Sequence, residues 1–237
     1  MSTPTPLPDM PRDPTRTRGR YAFTLDGVPA GIDERFVLGD LAQGVVRVRT
    51  TRVLSRPTSR VESDVRIGPE GLDVEVRWTG SGPGVVREGS VQLVERHGTV
   101  SGRRVVDGQA YDVSAVDARL NTVAHAVSGP LVLAAVTGLD LVAPDLTSTG
   151  DPAALLAPVS ERWRTVATGT DATVVAGEAH EGTAYGWVDE VSGRTATMLV
   201  DEGGLLLRTR LAAADGLLEV RLVELTGPWP QPTTWWR

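Results

Sequence analysis

Lysine and cysteine are both missing from this 237-residue chain, whose 24 basic residues are all arginine. Without a lysine amine the chain supplies no Schiff base, no phosphate-loop lysine and no pyridoxal-type anchor. Without cysteine it has no disulfide, thiolate nucleophile, iron–sulfur ligand or Cys-type zinc site, which fits cytoplasmic residence. Histidine is nearly as scarce. His97, His125 and His180 stand at no metal-ligand spacing, so neither a metal nor any other cofactor is expected. A long apolar run is also lacking: Val123–Val142, the least polar stretch, is broken by Ser128, Gly129, Pro130, Gly138 and Asp140, whereas a bilayer span needs roughly 20 mostly apolar residues. That stretch reads as a buried core element, without membrane insertion. Residues 1–18 are rich in Pro, Thr and Arg and hold no apolar core of about 7–15 residues, so they read as a disordered lead-in and not as a secretory signal. A net charge of −6 argues against broad nucleic-acid binding, although arginines can still gather on one face after folding. Val, Ala, Leu and Gly dominate and Ile occurs only at Ile32 and Ile67, a bias of GC-rich coding that points to an actinobacterial source.

What the chain does have is alternation. Tyr21, Phe23 and Leu25 alternate with small or polar residues before Asp26-Gly27, a hairpin signature. Val46, Val48 and Thr50 share one face while Arg47, Arg49 and Thr51 share the other, which should face water. Val61, Ser63, Val65 and Ile67 then run to the turn Gly68–Gly71, and Leu72, Val74, Val76 and Trp78 return opposite Asp73, Glu75 and Arg77. Further turns at His97-Gly98 and Asp107-Gly108 continue the spacing of a barrel or sandwich. The loop Thr79–Gly84 is glycine-rich, but no helix follows it, so it reads as an inter-strand loop and not as a phosphate cradle.

After Val113 the period changes. Ser114 with Asp117 forms a helix-cap pattern, and Val116, Leu120, Val123 and Val127 fall on one helical face. The spacing predicts a helix here, ended by Gly129-Pro130; between 131 and 142 helix and strand are both open. Asp151-Pro152 caps one short turn over Ala153–Ala157. A second set of strands is expected from Trp163 onward, with Tyr185, Trp187 and Asp189 on one face and Leu205, Leu207, Thr209 and Leu211 on another, through Leu225. The fold class is therefore all-β and mainly antiparallel, a strongly curved sheet or open barrel with a helical or irregular central insertion over 114–158. Residues 19–226 are taken as a single β domain and 227–237 as a Pro/Trp-rich tail, in which Trp229, Trp235 and Trp236 lean over the cavity mouth as a lid.

No catalytic constellation is legible. The pairs Asp33-Glu34, Asp189-Glu190 and Asp201-Glu202 read as turn-flanking surface carboxylates. His125, on the apolar central stretch, reads either as a hydrogen-bonded core histidine or as a general base or ligand contact. Trp78, Trp163 and Trp187 read as core or as the wall of a small-molecule cavity, with Tyr185 beside them. The opening YAFTLDGVPAG, the arginine-rich strand, the Glu-Gly-Leu hairpin, the DGQAYD exit and the late DEGGLL meander resemble uncharacterised bacterial all-β proteins with a half-barrel related to lipoprotein carriers. The resemblance covers about Tyr21–Val113 and Tyr185–Leu225, and it implies a concave sheet holding an apolar molecule. The missing signal and lipobox cysteine depart from that pattern and leave its architecture alone. The expected ligand is a small hydrophobic molecule, lipid-like or polyketide-like, lined by Trp78, His125, Trp163, Tyr185 and Trp187. The alternative is a cofactor-free cyclase or isomerase using the same cavity, oriented by His125 or Tyr185.

Overall fold

The computed structural model describes residues 16–41, 45–55, 58–82, 84–120, 139–213 and 215–228. Eight strands follow one another by hairpins: β1 (Thr17–Leu25), β2 (Val28–Leu41), β3 (Val45–Ser55), β4 (Thr58–Gly68), β5 (Gly71–Ser81), β6 (Glu88–Arg96), β7 (Thr99–Val106) and β8 (Gln109–Asp117). The second half adds β9 (Arg119–Leu120), β10 (Leu139–Pro144), β11 (Pro158–Val175), β12 (Glu178–Asp189), β13 (Thr195–Val200), β14 (Leu206–Ala213) and β15 (Gly216–Thr226). All 15 strands belong to one sheet in the order β8 to β1, then β15 to β9. Every neighbouring pair is antiparallel except β9 and β10.

Local chemistry explains the meanders. Asp26-Gly27 and Asp107-Gly108 both have two successive positive φ angles, 48° then 81° and 46° then 82°, the two-residue turn whose twist matches that of the flanking strands. Within strands the period-2 split holds: in β4 and β5, Val61, Ser63, Val65, Ile67, Leu72, Val74, Val76 and Trp78 are buried while the residues alternating with them face outward. Pairing of β1 with β15, from Arg18 opposite Thr226 to Leu25 opposite Leu218, joins the two meanders. The sheet's two edges, β8 and β9, are consecutive in the chain. The short run from β8 into β9 is tied to the β6–β7 hairpin, with the Ala118 N–H donating to Gly98 O (2.9 Å) and the Leu120 N–H to Glu95 Oε2 (2.8 Å).

The buried face forms one apolar cluster running from Tyr21 and Phe36 through Trp78 and Leu93 to Trp163, Trp187, Leu207 and Leu222. Residues 145–157 dock on it beside the 82–88 connection, burying Leu146, Leu155 and Leu156. Arg104 fastens this segment, donating to the carbonyls of Leu155 (2.7 Å) and Ala153 (2.6 Å) while its guanidinium lies 4.1 Å over the Tyr111 ring. The Asp151 carboxylate accepts from the Ala153 N–H (2.8 Å), and Leu155 N–H bonds Asp151 O (2.9 Å), so the expected short turn is there.

The helix expected from Ser114 is overturned as far as Leu120. Residues 109–117 are strand β8, with Val116 opposite Val100 and Asp117 opposite Thr99, and Arg119–Leu120 is β9. A bulge between Val100 and Gly102 shifts the phase of the ladder and disguises its alternation. The β-branched valines suit the open edge of β7 better than an isolated helix turn. Residues 139–142 prove to be strand, in β10. His125, Trp229, Trp235 and Trp236 lie outside the described residues. No helix among the described residues is long and apolar enough to cross a membrane.

Candidate functional site: an arginine-lined recess

The outward, polar face of β15 and β1–β5 carries a recess of about 940 Å³. Its floor is set by register. Reading across the sheet, Thr226, Arg18, Val37, Arg49, Asp64 and Glu75 form one row, and Glu224, Arg20, Arg35, Thr51, Glu62 and Arg77 form the next. Arg47 and Arg66 face each other one row further. Eight arginines line the recess against four carboxylates, a local surplus of positive charge in a chain whose net charge is −6.

That surplus is not spread evenly. Strands β4 and β5 contribute Arg60, Arg66 and Arg77 with Glu62, Asp64 and Glu75, and are balanced; β1–β3 contribute Arg18, Arg20, Arg35, Arg47 and Arg49 to the lining and no carboxylate. Two cross-strand pairs, Arg20 with Arg35 and Arg47 with Arg66, set like charges directly opposite each other, an arrangement that is destabilising without a bridging anion. A carboxylate supplies the bridge in each case. Asp33 lies 3.4 Å from Arg20 Nη1 and 3.3 Å from Arg35 Nε, while Asp64 accepts two hydrogen bonds from Arg47 Nε (2.8 and 3.0 Å) and stands 3.9 Å from Arg66. Glu224 accepts from Arg20 Nε (2.8 Å) and Nη2 (2.5 Å). That hydrogen bond pushes Arg20 up and holds the Glu224 carboxyl below its ordinary range. The hydrogen bond to Asp64 likewise raises Arg47. The pairs are therefore charged fixtures of the wall.

Arg49 is different. It is half-buried at the middle of the recess, opposite Val37 on one side and Asp64 on the other, and it makes no hydrogen bond or ion pair among the described residues. Asp64 is already engaged by Arg47 and Arg66. A guanidinium presents a planar fork of N–H donors suited to oxyanions, and Arg49 with the Thr51 hydroxyl two residues on is the free part of that equipment.

The residues singled out in the sequence sit elsewhere. Trp78, Trp163 and Trp187 are buried in the apolar cluster on the opposite face, and Tyr185 packs half-buried against it. Trp163 and Trp187 stack, with centroids 4.1 Å apart and planes 14° from parallel. All three indole N–H groups are buried without a partner among the described residues. Glu34, read from sequence as a surface carboxylate, is fully buried instead: Oε2 accepts from Arg52 Nε (2.8 Å), Oε1 has no partner among the described residues, and burial pushes its pKa up. Period 2 places Glu34 on the face of Phe36 and Leu38, a signal that the adjacent Asp33 obscured. Asp189 and Asp201 are also buried, as caps for the turns that follow them. Among the described residues no cluster of His, Asp and Glu is arranged to hold a metal.

The sequence missed the recess because its arginines, spread over 60 positions, look like ordinary outer-face residues until five strands are laid side by side. The available signal was their recurrence on the polar face of consecutive strands. No family model matches the sequence. No curated protein matches it either. Among solved structures, the fold is similar to the crystal structure of a beta-barrel-like protein of domain of unknown function DUF1849 from Brucella abortus, with a TM-score of 0.51 and 11% identity over 90% of this chain and 97% of that one. At that identity the likeness establishes a barrel-like all-β architecture.

Proposed function

We propose that this protein is a binding module whose ligand seat is the arginine recess and whose ligand is an anion. One observation carries the reading: the half-buried Arg49 stands unpaired among the described residues at the middle of a recess lined by five arginines of β1–β3, two of which share the Asp33 carboxylate. The carboxylates of Asp33, Asp64 and Glu224 already engage the facing arginine pairs, so Arg49 is the guanidinium that an incoming oxyanion would bind by charge-assisted hydrogen bonds. The volume is that of a small-molecule site. The test is calorimetric titration at low ionic strength with sulfate, citrate and tripolyphosphate. Binding of at least one of them is expected, weakening as salt shortens the Debye length to about 8 Å at 0.15 M and lost in an Arg35→Ala/Arg49→Ala variant that melts like the parent. Failure of every anion to bind the folded protein would sink the proposal.

A second reading, an apolar lipid-like or polyketide-like molecule inside the barrel, is supported by a separate observation. Three buried indole N–H groups in the apolar cluster lack partners among the described residues, and buried donors are ordinarily hydrogen-bonded; a carbonyl or hydroxyl on an otherwise apolar ligand would supply the acceptor. Native mass spectrometry of the purified chain tests it. A retained organic mass is expected on this reading, and a bare polypeptide mass before and after exposure to lipid extract would refute it.

A further inference from the structure

Resting on the anion seat just described, we propose that its ligand is a compact, soluble anion carrying several phosphoryl groups and read without its organic part. The number and spacing of the guanidinium groups are the first reason. Arg18 and Arg49 lie in one row two strands apart, so at about 4.8 Å per strand their Cα atoms are roughly 10 Å from each other; Arg20 and Arg35, in the next row, are held by Glu224 and Asp33 and frame that row. A single tetrahedral anion reaches one or two of these groups. Spanning the row takes a ligand with phosphoryl groups at both of its ends, which the recess has room for at about 940 Å³.

The second reason is the donor type. The seat offers guanidinium forks and the hydroxyls of Thr51 and Thr226, and no ammonium, since the chain has no lysine. Forks bond two oxygens of one phosphoryl group at once. The third reason is what faces the seat. Phe36 is the aromatic residue of the lining, and it is buried on the opposite side of the sheet against Tyr21, their centroids 5.4 Å apart. Gly19 beside it is closed as well, because an added Cβ would come within 2.3 Å of that ring. Proteins that track single-stranded nucleic acid stack bases on exposed aromatic rings, and the seat presents none among the described residues. Recognition is therefore of charge and oxygen geometry, indifferent to a base.

The experiment titrates the full chain with sodium tripolyphosphate, orthophosphate, citrate and ATP at matched ionic strength. Tripolyphosphate should bind at least about tenfold more tightly than orthophosphate or citrate, and ATP no more tightly than tripolyphosphate. Arg49→Ala and Arg49→Gln should each weaken tripolyphosphate by about tenfold with unchanged melting temperature. Arg210→Ala should leave binding as it was, since Arg210 pairs with Glu219 outside the recess (2.6 Å). Equal affinity for orthophosphate and tripolyphosphate, or tighter binding of citrate, overturns the phosphoryl class while an anion seat stands. ATP about tenfold tighter than tripolyphosphate overturns the indifference to a base. Flotation with phosphatidic acid vesicles but no heat with soluble tripolyphosphate overturns the soluble ligand in favour of a lipid headgroup. Silence with every anion is the separate failure of the seat itself.

Discussion

Replacing Trp187 with phenylalanine isolates a single buried N–H. The indole is 2% exposed and stacks on Trp163 at 4.1 Å, and its Nε1 has no partner among the described residues. Truncation to alanine removes the whole ring and should cost about 3–5 kcal/mol, the usual range for a large aromatic in a core. Phenylalanine keeps a six-membered ring against Trp163 and removes roughly three buried heavy atoms, which at about 0.8 kcal/mol each is a loss of about 2.5 kcal/mol. It also removes the unpaired donor, whose burial costs about 1–3 kcal/mol. The two changes nearly offset each other, so Trp187→Phe should change stability by between about 0.5 kcal/mol of gain and about 1.5 kcal/mol of loss. Urea unfolding followed by far-UV circular dichroism reads both variants, with the slope unchanged and the midpoint shifted. A Trp187→Phe variant that loses as much as Trp187→Ala would refute the reasoning, because it would mean that the N–H is satisfied in the folded protein. If a ligand acceptor satisfies it, the phenylalanine variant should lose more stability in ligand-loaded than in stripped protein.

Other expectations follow from single contacts. Gly102→Ala places a Cβ 2.0 Å from Gln92 O across the β6–β7 ladder, a clash with backbone that should cost about 1–3 kcal/mol in the urea midpoint. Gly108→Ala meets open space and is penalised only by its φ of +82°, at about 1–2 kcal/mol. Arg104→Ala removes the donors that hold the carbonyls of Ala153 and Leu155, so the melting temperature should fall and amide exchange over 145–157 should quicken, with no change in anion binding at the recess. Asp189 concerns pH. Burial alone would raise its carboxyl, but the Ser192 hydroxyl and the N–H groups of Arg162, Val191 and Ser192 more than reverse that and hold it below the usual range. A depressed folded-state value means stability that is fully present above the ordinary carboxylate range and lost as pH falls below it through the lower folded-state value. The deficit of Asp189→Asn, about 1–3 kcal/mol at neutral pH, should therefore shrink in acid, and a pH-independent deficit would contradict the assignment.

The Asp145 carboxylate accepts from Thr147 and the Asp201 carboxylate from Leu205, each a few positions downstream, whereas Asp189 joins its local partners Val191 and Ser192 to the Arg162 N–H, 27 positions upstream. Arg20 is tied to Asp33 on one side and to Glu224, 204 positions away, on the other. Its substitution would disturb the joint between the two meanders together with the recess wall, which is why Arg49 is the better probe of binding.

The sequence by itself determined the pieces. The alternation of Leu72, Val74, Val76 and Trp78 with Asp73, Glu75 and Arg77 assigned each residue a face, because successive side chains of a strand point to opposite sides. Asp26-Gly27 and Asp107-Gly108 marked their turns, since few residue pairs tolerate two positive φ angles in succession. The facing of Leu207, Thr209 and Leu211 in the second meander was legible in the same way. What only the tertiary structure decided is who stands beside whom. Nothing local says that β1 pairs with β15, or that Val116 lies opposite Val100 across a bulge and not on a helix. Glu34 looked solvated beside Asp33, although it shares the face of Phe36 and Leu38, and packing of that face in the folded sheet leaves it fully buried. The recess belongs to this second kind. Period 2 turns each arginine outward, but a binding site requires that Arg18, Arg35 and Arg49, from three different strands, become neighbours at strand spacing. Register between strands is fixed by the whole sheet's hydrogen bonding and core, and a chain read one residue after another does not contain it.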